Sequence, residues 1–149
     1  MVALDPVDRR SVGDRRGGPV RREPAGAPPG APGAGHRHLV GPGTTVDSLR
    51  LVCETHARFG VTALLPTLIT DTAAVTDAVL ATGAAAARQH LPGFLGLHLE
   101  GPHLSQTRKG AHDPALIRPM DEADLVRLER ARASLPHLLV TVATESVTP

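Results

Sequence analysis

The chain has 149 residues, about one ordinary domain, and a formal net charge of +1, which favours no acidic partner. Two Phe and no Trp or Tyr leave no aromatic platform for stacking nucleic-acid bases, and no apolar run approaches the roughly 20 residues of a membrane span. The single cysteine excludes an internal disulfide and the N-terminus lacks an apolar signal core, so we expect a cytoplasmic protein with neither a nucleic-acid nor a membrane partner.

Residues 1–43 differ in composition from the rest of the chain, because they contain seven of its 14 Pro, nine of its 15 Gly and seven Arg. Such a segment buries too little apolar surface to offset its chain entropy, so it is predicted to be disordered. Its paired Arg residues could form an arm that binds nucleic acid or a membrane surface. Four acidic side chains dilute the positive field, so a solvated tail is the favoured interpretation.

Residues 44–149 form the second predicted domain, in which the hydrophobic pattern gives the order α-β-α-β-α-β and therefore parallel strands joined by helices. The first helix should begin at a capping box of Thr44 and Asp47 and end near Gly60. His56 and Cys53 lie on its apolar face, and both are interpreted as core residues rather than ligands.

The next predicted strand covers residues 61–69, and its pairing should be interrupted at Pro66, which has no backbone donor. Thr67 and Thr70 would then lie near the open end of the strand. A helix capped by Asp71 and running to about Gln89 follows. Its predicted inner face consists of small and apolar residues: Val75, Ala78, Val79, Thr82, Ala85 and Ala86.

The apolar run 94–99 predicts a strand buried on both faces, and this strand ends on a carboxylate, Glu100, followed by Gly-Pro. Glu100 thus lies at the carboxyl end of a parallel strand, where α/β folds place their chemistry. The polar loop 108–114 is long enough to fold back over that strand end. From strand position alone, Glu100 is either a metal ligand or the ion-pair partner of Arg108 or Lys109.

A third helix is predicted to begin at Asp121, with Asp124 three residues on, and to end before Pro136. Its inner face should carry Leu125, Leu128, Arg132 and Leu135, with Arg127, Glu129 and Arg130 pointing outward. The last predicted strand covers residues 138–143.

Three stretches resemble one protein family: residues 56–70 (HARFGVTALLPTLIT), 96–102 (GLHLEGP) and 109–114 (KGAHDP). They are similar to the signature of N-acetylglucosamine-6-phosphate deacetylases, which are metal-dependent amidohydrolases with a TIM-barrel fold. The resemblance covers roughly residues 45–149. Because a whole barrel needs roughly 250 residues, it implies a partial (β/α)8 barrel of about three strands and three helices.

The resemblance implies hydrolysis of the acetamide of N-acetylglucosamine 6-phosphate to glucosamine 6-phosphate and acetate, in amino-sugar catabolism. It assigns Glu100 as a ligand of a divalent metal ion of the zinc or iron class, and Ala111 and His112 as substrate contacts. Ala111 could act only through its backbone, whereas His112 could donate a hydrogen bond to an acetamido or sugar oxygen. His98 faces the same side as Glu100 and is interpreted as an interior polar residue rather than a second ligand.

The resemblance also implies what this chain lacks. The family's metal-binding histidines and its catalytic aspartate come from later strands, so no residue here is assigned a catalytic role, and the isolated chain is expected to be inactive. His36 and His38 have the spacing of the family's first metal-binding pair, but the Pro- and Gly-rich residues before them do not read as a strand. A relic or a chance match is therefore favoured over metal ligation by this pair, and residues before about 44 could derive from a shifted reading frame.

One departure from the family pattern is His103, which stands where Phe usually follows Gly-Pro and could alter the packing beneath the substrate loop. A different interpretation of the whole chain is a non-catalytic α/β module, or an inactive truncated product, whose open strand edges favour association, so a homo-oligomer is possible.

Overall fold

The computed structural model describes residues 40–147, so most of the predicted disordered segment, with His36 and His38, lies outside the described residues. Within them the predicted order of three helices and three strands is confirmed. No helix among the described residues combines the length and apolarity needed to cross a membrane. The elements are α1 (Val46–Ala57), β1 (Thr67–Ile69), α2 (Ala73–Arg88), β2 (Leu97–Glu100), α3 (Glu122–Ser134) and β3 (Leu138–Thr141).

The three strands form one parallel sheet in the order β1-β2-β3. The register aligns Ile69, Glu100 and Thr141 across the three strands, so the carboxyl ends lie at one edge of the sheet. Val40 makes an isolated parallel bridge to Leu68 on the outer side of β1. The described residues therefore form the parallel α/β arrangement that the sequence predicts.

The core lies between the sheet and the helices and has two parts. In the first, Leu68, Leu97 and Leu99 from the strands pack against α2 and α3. In the second, Leu49 and Cys53 of α1 pack against the end of α2. Alternate strand residues project from the opposite face of the sheet, and that face carries Thr67, Ile69, His98, Glu100, Leu139 and Thr141.

Helix α1 begins one residue later than predicted. Its capping box is formed by Thr45 and Ser48, with the Ser48 amide donating to Thr45 Oγ1 at 3.2 Å. Thr44 cannot fill this role because its hydroxyl bonds the backbone N–H and C=O of Gly41, both at 2.8 Å. The assignment of Cys53 as a core residue is confirmed, since its side chain is buried and burial raises the pKa of its thiol.

Strand β1 differs from the prediction in its position. Pro66 does interrupt the ladder, but the regular strand Thr67–Ile69 follows the proline instead of preceding it. The proline carbonyl still accepts a hydrogen bond from the His98 amide at 3.0 Å. A residue without a donor can therefore begin this strand, because only its acceptor is used.

The inner face of α2 is rotated relative to the prediction, and its cap is Thr72 rather than Asp71. Val79 and Ala86 are buried as expected, but Ala78 is exposed. The remaining buried residues of this helix are Thr76, Leu80, Gly83 and Ala84. Gly83 lies against the sheet so closely that a Cβ at this position would be 2.5 Å from Leu97 Cδ1.

Helix α3 begins at Asp121 with the predicted capping box, in which the Asp124 amide donates to Asp121 Oδ1 at 2.9 Å. The prediction of its inner face is partly wrong. Leu125 is 44% exposed, whereas Asp124 is buried and Arg127 turns inward to ion pairs. Leu128 and Leu135 do pack in the core as predicted, so the buried side of this helix is charged in place of apolar only in its first half.

Candidate functional site

The carboxyl edge of the sheet carries Glu100, whose side chain is 35% exposed. The chain turns sharply after it because Gly101 has a φ of +94°, a conformation that favours glycine. A Cβ at Gly101 would overlap the Thr70 hydroxyl. Glycine therefore allows the backbone beyond Glu100 to pass directly against the end of β1, leaving the carboxylate at the rim of the sheet.

The loop after β2 folds back over this rim, as the sequence predicts. After a short 3-10 turn at Gln106–Arg108, it brings His112 Nε2 to 3.8 Å from Glu100 Oε1. The His112 ring is only 12% exposed, so it is not a free loop histidine. Neither Arg108 nor Lys109 forms an ion pair with Glu100 in the described part of the chain, and Ala111 is exposed beside His112.

A second histidine on the same sheet face, His98, is 3% exposed. Its Nδ1 lies 3.0 Å from Thr67 Oγ1 and its Nε2 lies 2.8 Å from Thr141 Oγ1. Burial lowers the pKa of the ring, with the Glu100 charge acting in the opposite direction. Both ring nitrogens are thus used to link β1, β2 and β3, which agrees with the interpretation of His98 as an interior polar residue.

The described residues do not by themselves complete a metal site. Within residues 40–147, no three His, Cys, Asp or Glu side chains converge closely enough to hold a metal ion. A catalytic zinc usually takes three protein ligands. Glu100 fits the requirements of one ligand, since its carboxylate is partly exposed at a strand end, whereas both nitrogens of His98 already have hydroxyl partners.

Beneath the loop lies a buried ionic cluster that the sequence pattern does not predict. Asp124 accepts hydrogen bonds from Arg118 Nη1 at 2.5 Å and Nη2 at 2.6 Å, and from Arg127 Nη1 at 2.7 Å. His103 is buried beside it, with Nε2 at 3.6 Å from Asp124 Oδ2 and Nδ1 at 3.1 Å from the Arg118 carbonyl oxygen. Arg127 Nε also pairs with Asp77 of α2 at 2.7 Å.

This cluster fixes both ends of the loop to the helices. Burial alone would raise the pKa of the Asp124 carboxyl. The hydrogen bonds from Arg118 and from the Asp121 amide, together with the charges of Arg118 and His103, outweigh burial and hold that pKa well below its usual range. His103 therefore packs against the Asp124 carboxylate at the position where the resembled family usually has Phe. The one available signal in the sequence was the Asp124–Arg127 spacing, which places opposite charges on one helix face.

No protein-family model matches the chain. Among curated proteins, it is 44% identical over 105 residues to the N-acetylgalactosamine-6-phosphate deacetylase of Shewanella sp. (strain ANA-3), a match that covers 70% of this chain and 26% of that protein. It is 37% identical over 108 residues to the N-acetylglucosamine-6-phosphate deacetylase of Homo sapiens, covering 71% of this chain and 25% of that protein.

A solved structure is also similar to the chain. The crystal structure of N-acetylglucosamine-6-phosphate deacetylase from Pasteurella multocida superposes with a TM-score of 0.63 at 29% identity, covering 68% of this chain and 26% of that one. The resemblance read from the sequence is thus confirmed: the homologues are deacetylases of N-acetylglucosamine or N-acetylgalactosamine 6-phosphate. The chain spans about a quarter of the length of the curated relatives it matches.

Proposed function

We propose that this chain forms part of an N-acetylhexosamine-6-phosphate deacetylase and supplies residues that contact the sugar. Such an enzyme hydrolyses the substrate acetamide to an amine and acetate. The observation that carries the proposal is the convergence of Glu100 and His112 at the carboxyl edge of a parallel sheet, 3.8 Å apart. Parallel α/β folds, including the TIM barrel, place their active sites at this edge. We extend the fold proposal to a partial (β/α)8 barrel, of which the three described strands form a contiguous part.

Each site residue has a distinct proposed role. Glu100 presents a partly exposed carboxylate and is proposed as one ligand of a divalent metal ion. His112 is held against the strand end with little exposure, and it is proposed to donate a hydrogen bond to an acetamido or sugar oxygen of the substrate. Ala111, exposed beside it, could contact the sugar only through its backbone.

A bound zinc or iron-class ion would polarise the amide carbonyl and lower the pKa of a bound water. The described residues would supply only one ligand of this ion, so no metal-dependent step of the reaction is assigned to them. The part of the reaction that these residues perform is therefore binding and orientation of the sugar amide.

A chimera tests this proposal. The segment of the Shewanella deacetylase that matches this chain would be replaced by the corresponding residues of this chain, and acetate release would be measured with both N-acetylgalactosamine 6-phosphate and N-acetylglucosamine 6-phosphate. We expect an active chimera. The sugar phosphate that it hydrolyses faster would identify which of the two epimers this chain prefers. The isolated chain, assayed beside it, is expected to release no acetate.

The chimera carrying Glu100→Gln should lose more than about 100-fold in kcat/KM and should lose bound metal. Even mutation of a residue that only hydrogen-bonds to a metal ligand typically lowers metal affinity or activity about 10–100-fold. Glu54→Gln, an exposed change on α1, is the matched control and should leave both quantities unchanged. A Glu100→Gln chimera as active as its parent would refute the role of this carboxylate.

A further inference from the structure

Thr70 follows β1 directly and contacts both residues of the proposed site. Its side chain is buried, with 6% exposure. Its hydroxyl lies 2.8 Å from His112 Nδ1 and 3.2 Å from the Glu100 carbonyl oxygen, and its backbone nitrogen lies 3.4 Å from the same His112 Nδ1. The sequence pattern predicts Thr70 near the strand end but indicates no role for it.

The polarity of these contacts fixes how the His112 ring is oriented. A backbone N–H can only donate, so the Nδ1 that it faces must accept. An ionised carboxylate can only accept, so the Nε2 that faces Glu100 should carry the ring hydrogen. Both ends of the imidazole therefore favour the same arrangement. The single hydrogen of the Thr70 hydroxyl then lies between two acceptors, His112 Nδ1 at 2.8 Å and the Glu100 carbonyl oxygen at 3.2 Å.

We propose that Thr70 is a positioning residue that holds the His112 imidazole with Nδ1 as an acceptor and Nε2–H directed toward the strand-end carboxylate. This rests on the proposed function and deepens it, because the Nε2–H so directed is the donor that would meet an acetamido or sugar oxygen of the substrate. The other tautomer, with its hydrogen on Nδ1, would present the lone pair of Nε2 to both the carboxylate and the substrate oxygen. Thr70 thus selects which nitrogen of His112 can donate.

The first test is the protonation pattern of His112 in the full chain. Long-range 1H–15N spectra of histidine-labelled protein, recorded at about pH 9 where an ordinary histidine is neutral, report which nitrogen carries the proton. The His112 signals are identified by their loss in His112→Gln. We expect Nε2–H in the wild type and in Thr70→Ser, and a mixture of both forms in Thr70→Val, which keeps the shape but lacks the hydroxyl.

The exposed Thr62→Val is the matched control and should give the wild-type pattern. A wild-type His112 with its proton on Nδ1 or on both nitrogens would overturn the proposal, and so would a Thr70→Val spectrum identical to that of the wild type. If Thr70→Val does not fold by circular dichroism, the wild-type and Thr70→Ser spectra still decide the orientation.

The second test separates this inference from the proposed function. Titration of N-acetylglucosamine 6-phosphate and N-acetylgalactosamine 6-phosphate into each protein should show affinity reduced about fivefold or more in Thr70→Val, as expected for one lost hydrogen bond, and restored in Thr70→Ser. Equal affinity in all three proteins would overturn the positioning role. A wild-type chain that binds neither sugar while retaining the Nε2–H form would count against the proposed function and leave the orientation by Thr70 supported.

Discussion

Asp124 shows how strongly a single buried charge can determine the structure around it. Its carboxylate receives two hydrogen bonds from Arg118 and one from Arg127, while its own exposure is 4%. Removing one member of such a cluster leaves the other charges without a partner, and this is more damaging than the loss of a surface ion pair. The attachment of the loop between β2 and α3 to the helices should therefore depend strongly on this side chain.

We predict that Asp124→Asn lowers the free energy of unfolding by about 3–5 kcal/mol at pH 7, measured by urea denaturation. Because the folded state holds the pKa of this carboxyl below its unfolded value of about 3.9, the stabilisation is present above that pH and is lost as the pH falls through the lower folded pKa. The difference between wild type and variant should therefore shrink below about pH 4. Glu129→Gln, an exposed change on the same helix, is the control. A difference that is constant from pH 7 to pH 2 would contradict this prediction.

At the scale of elements, Gly83 decides how closely α2 approaches the sheet. From helix propensity alone, Ala at this position would stabilise the helix by about 1 kcal/mol relative to Gly. A Cβ at this position would, however, lie 2.5 Å from Leu97 Cδ1 and 3.2 Å from Leu135 Cδ2, and Leu97 is fully buried. Packing and propensity therefore oppose each other at this helix position.

We predict that Gly83→Ala destabilises the protein by up to about 2 kcal/mol, because overpacking a core typically costs 1–3 kcal/mol and outweighs the gain in propensity. Thermal or urea unfolding of Gly83→Ala, Leu97→Val and the double variant gives the coupling between the two positions. The double variant should be more stable than the sum of the single changes implies, since Leu97→Val removes the obstructing methyl group. Strict additivity, or a more stable Gly83→Ala, would show that α2 can move away from the sheet without loss.

The number and order of elements could be predicted from the sequence because hydrophobic periodicity and terminal capping residues are local signals. The strand ending on Glu100 and the loop carrying His112 were likewise recognisable, since an apolar run that stops at a carboxylate and Gly-Pro is a local pattern. Contacts between distant residues gave no such signal. Arg127 is predicted to point outward, but it turns inward because its partner Asp77 lies on another helix, 50 residues away in the sequence.

At the scale of the whole molecule, the helices cover one face of the sheet and leave the other face open within residues 40–147. On that open face Ile69 is 51% exposed and Leu139 is 49% exposed, and β3 is an edge strand of the described sheet. An edge strand with exposed apolar side chains offers both unpaired backbone groups and buriable surface to another chain. The open face of the sheet, which leaves Glu100 accessible at its rim, therefore also favours association between copies of the chain.

We predict that the chain self-associates with increasing concentration and that Leu139→Lys shifts it toward the monomer, because a charge on an edge strand opposes strand pairing. Sedimentation velocity across a concentration series measures the change. Leu125→Lys is the matched control: Leu125 is 44% exposed, yet it lies on α3, away from the sheet edge, so its replacement should leave association unchanged. If both variants reduced association equally, general surface hydrophobicity rather than the β3 edge would be responsible. A wild-type chain that stayed monomeric would show that Ile69 and Leu139 do not drive contact between copies.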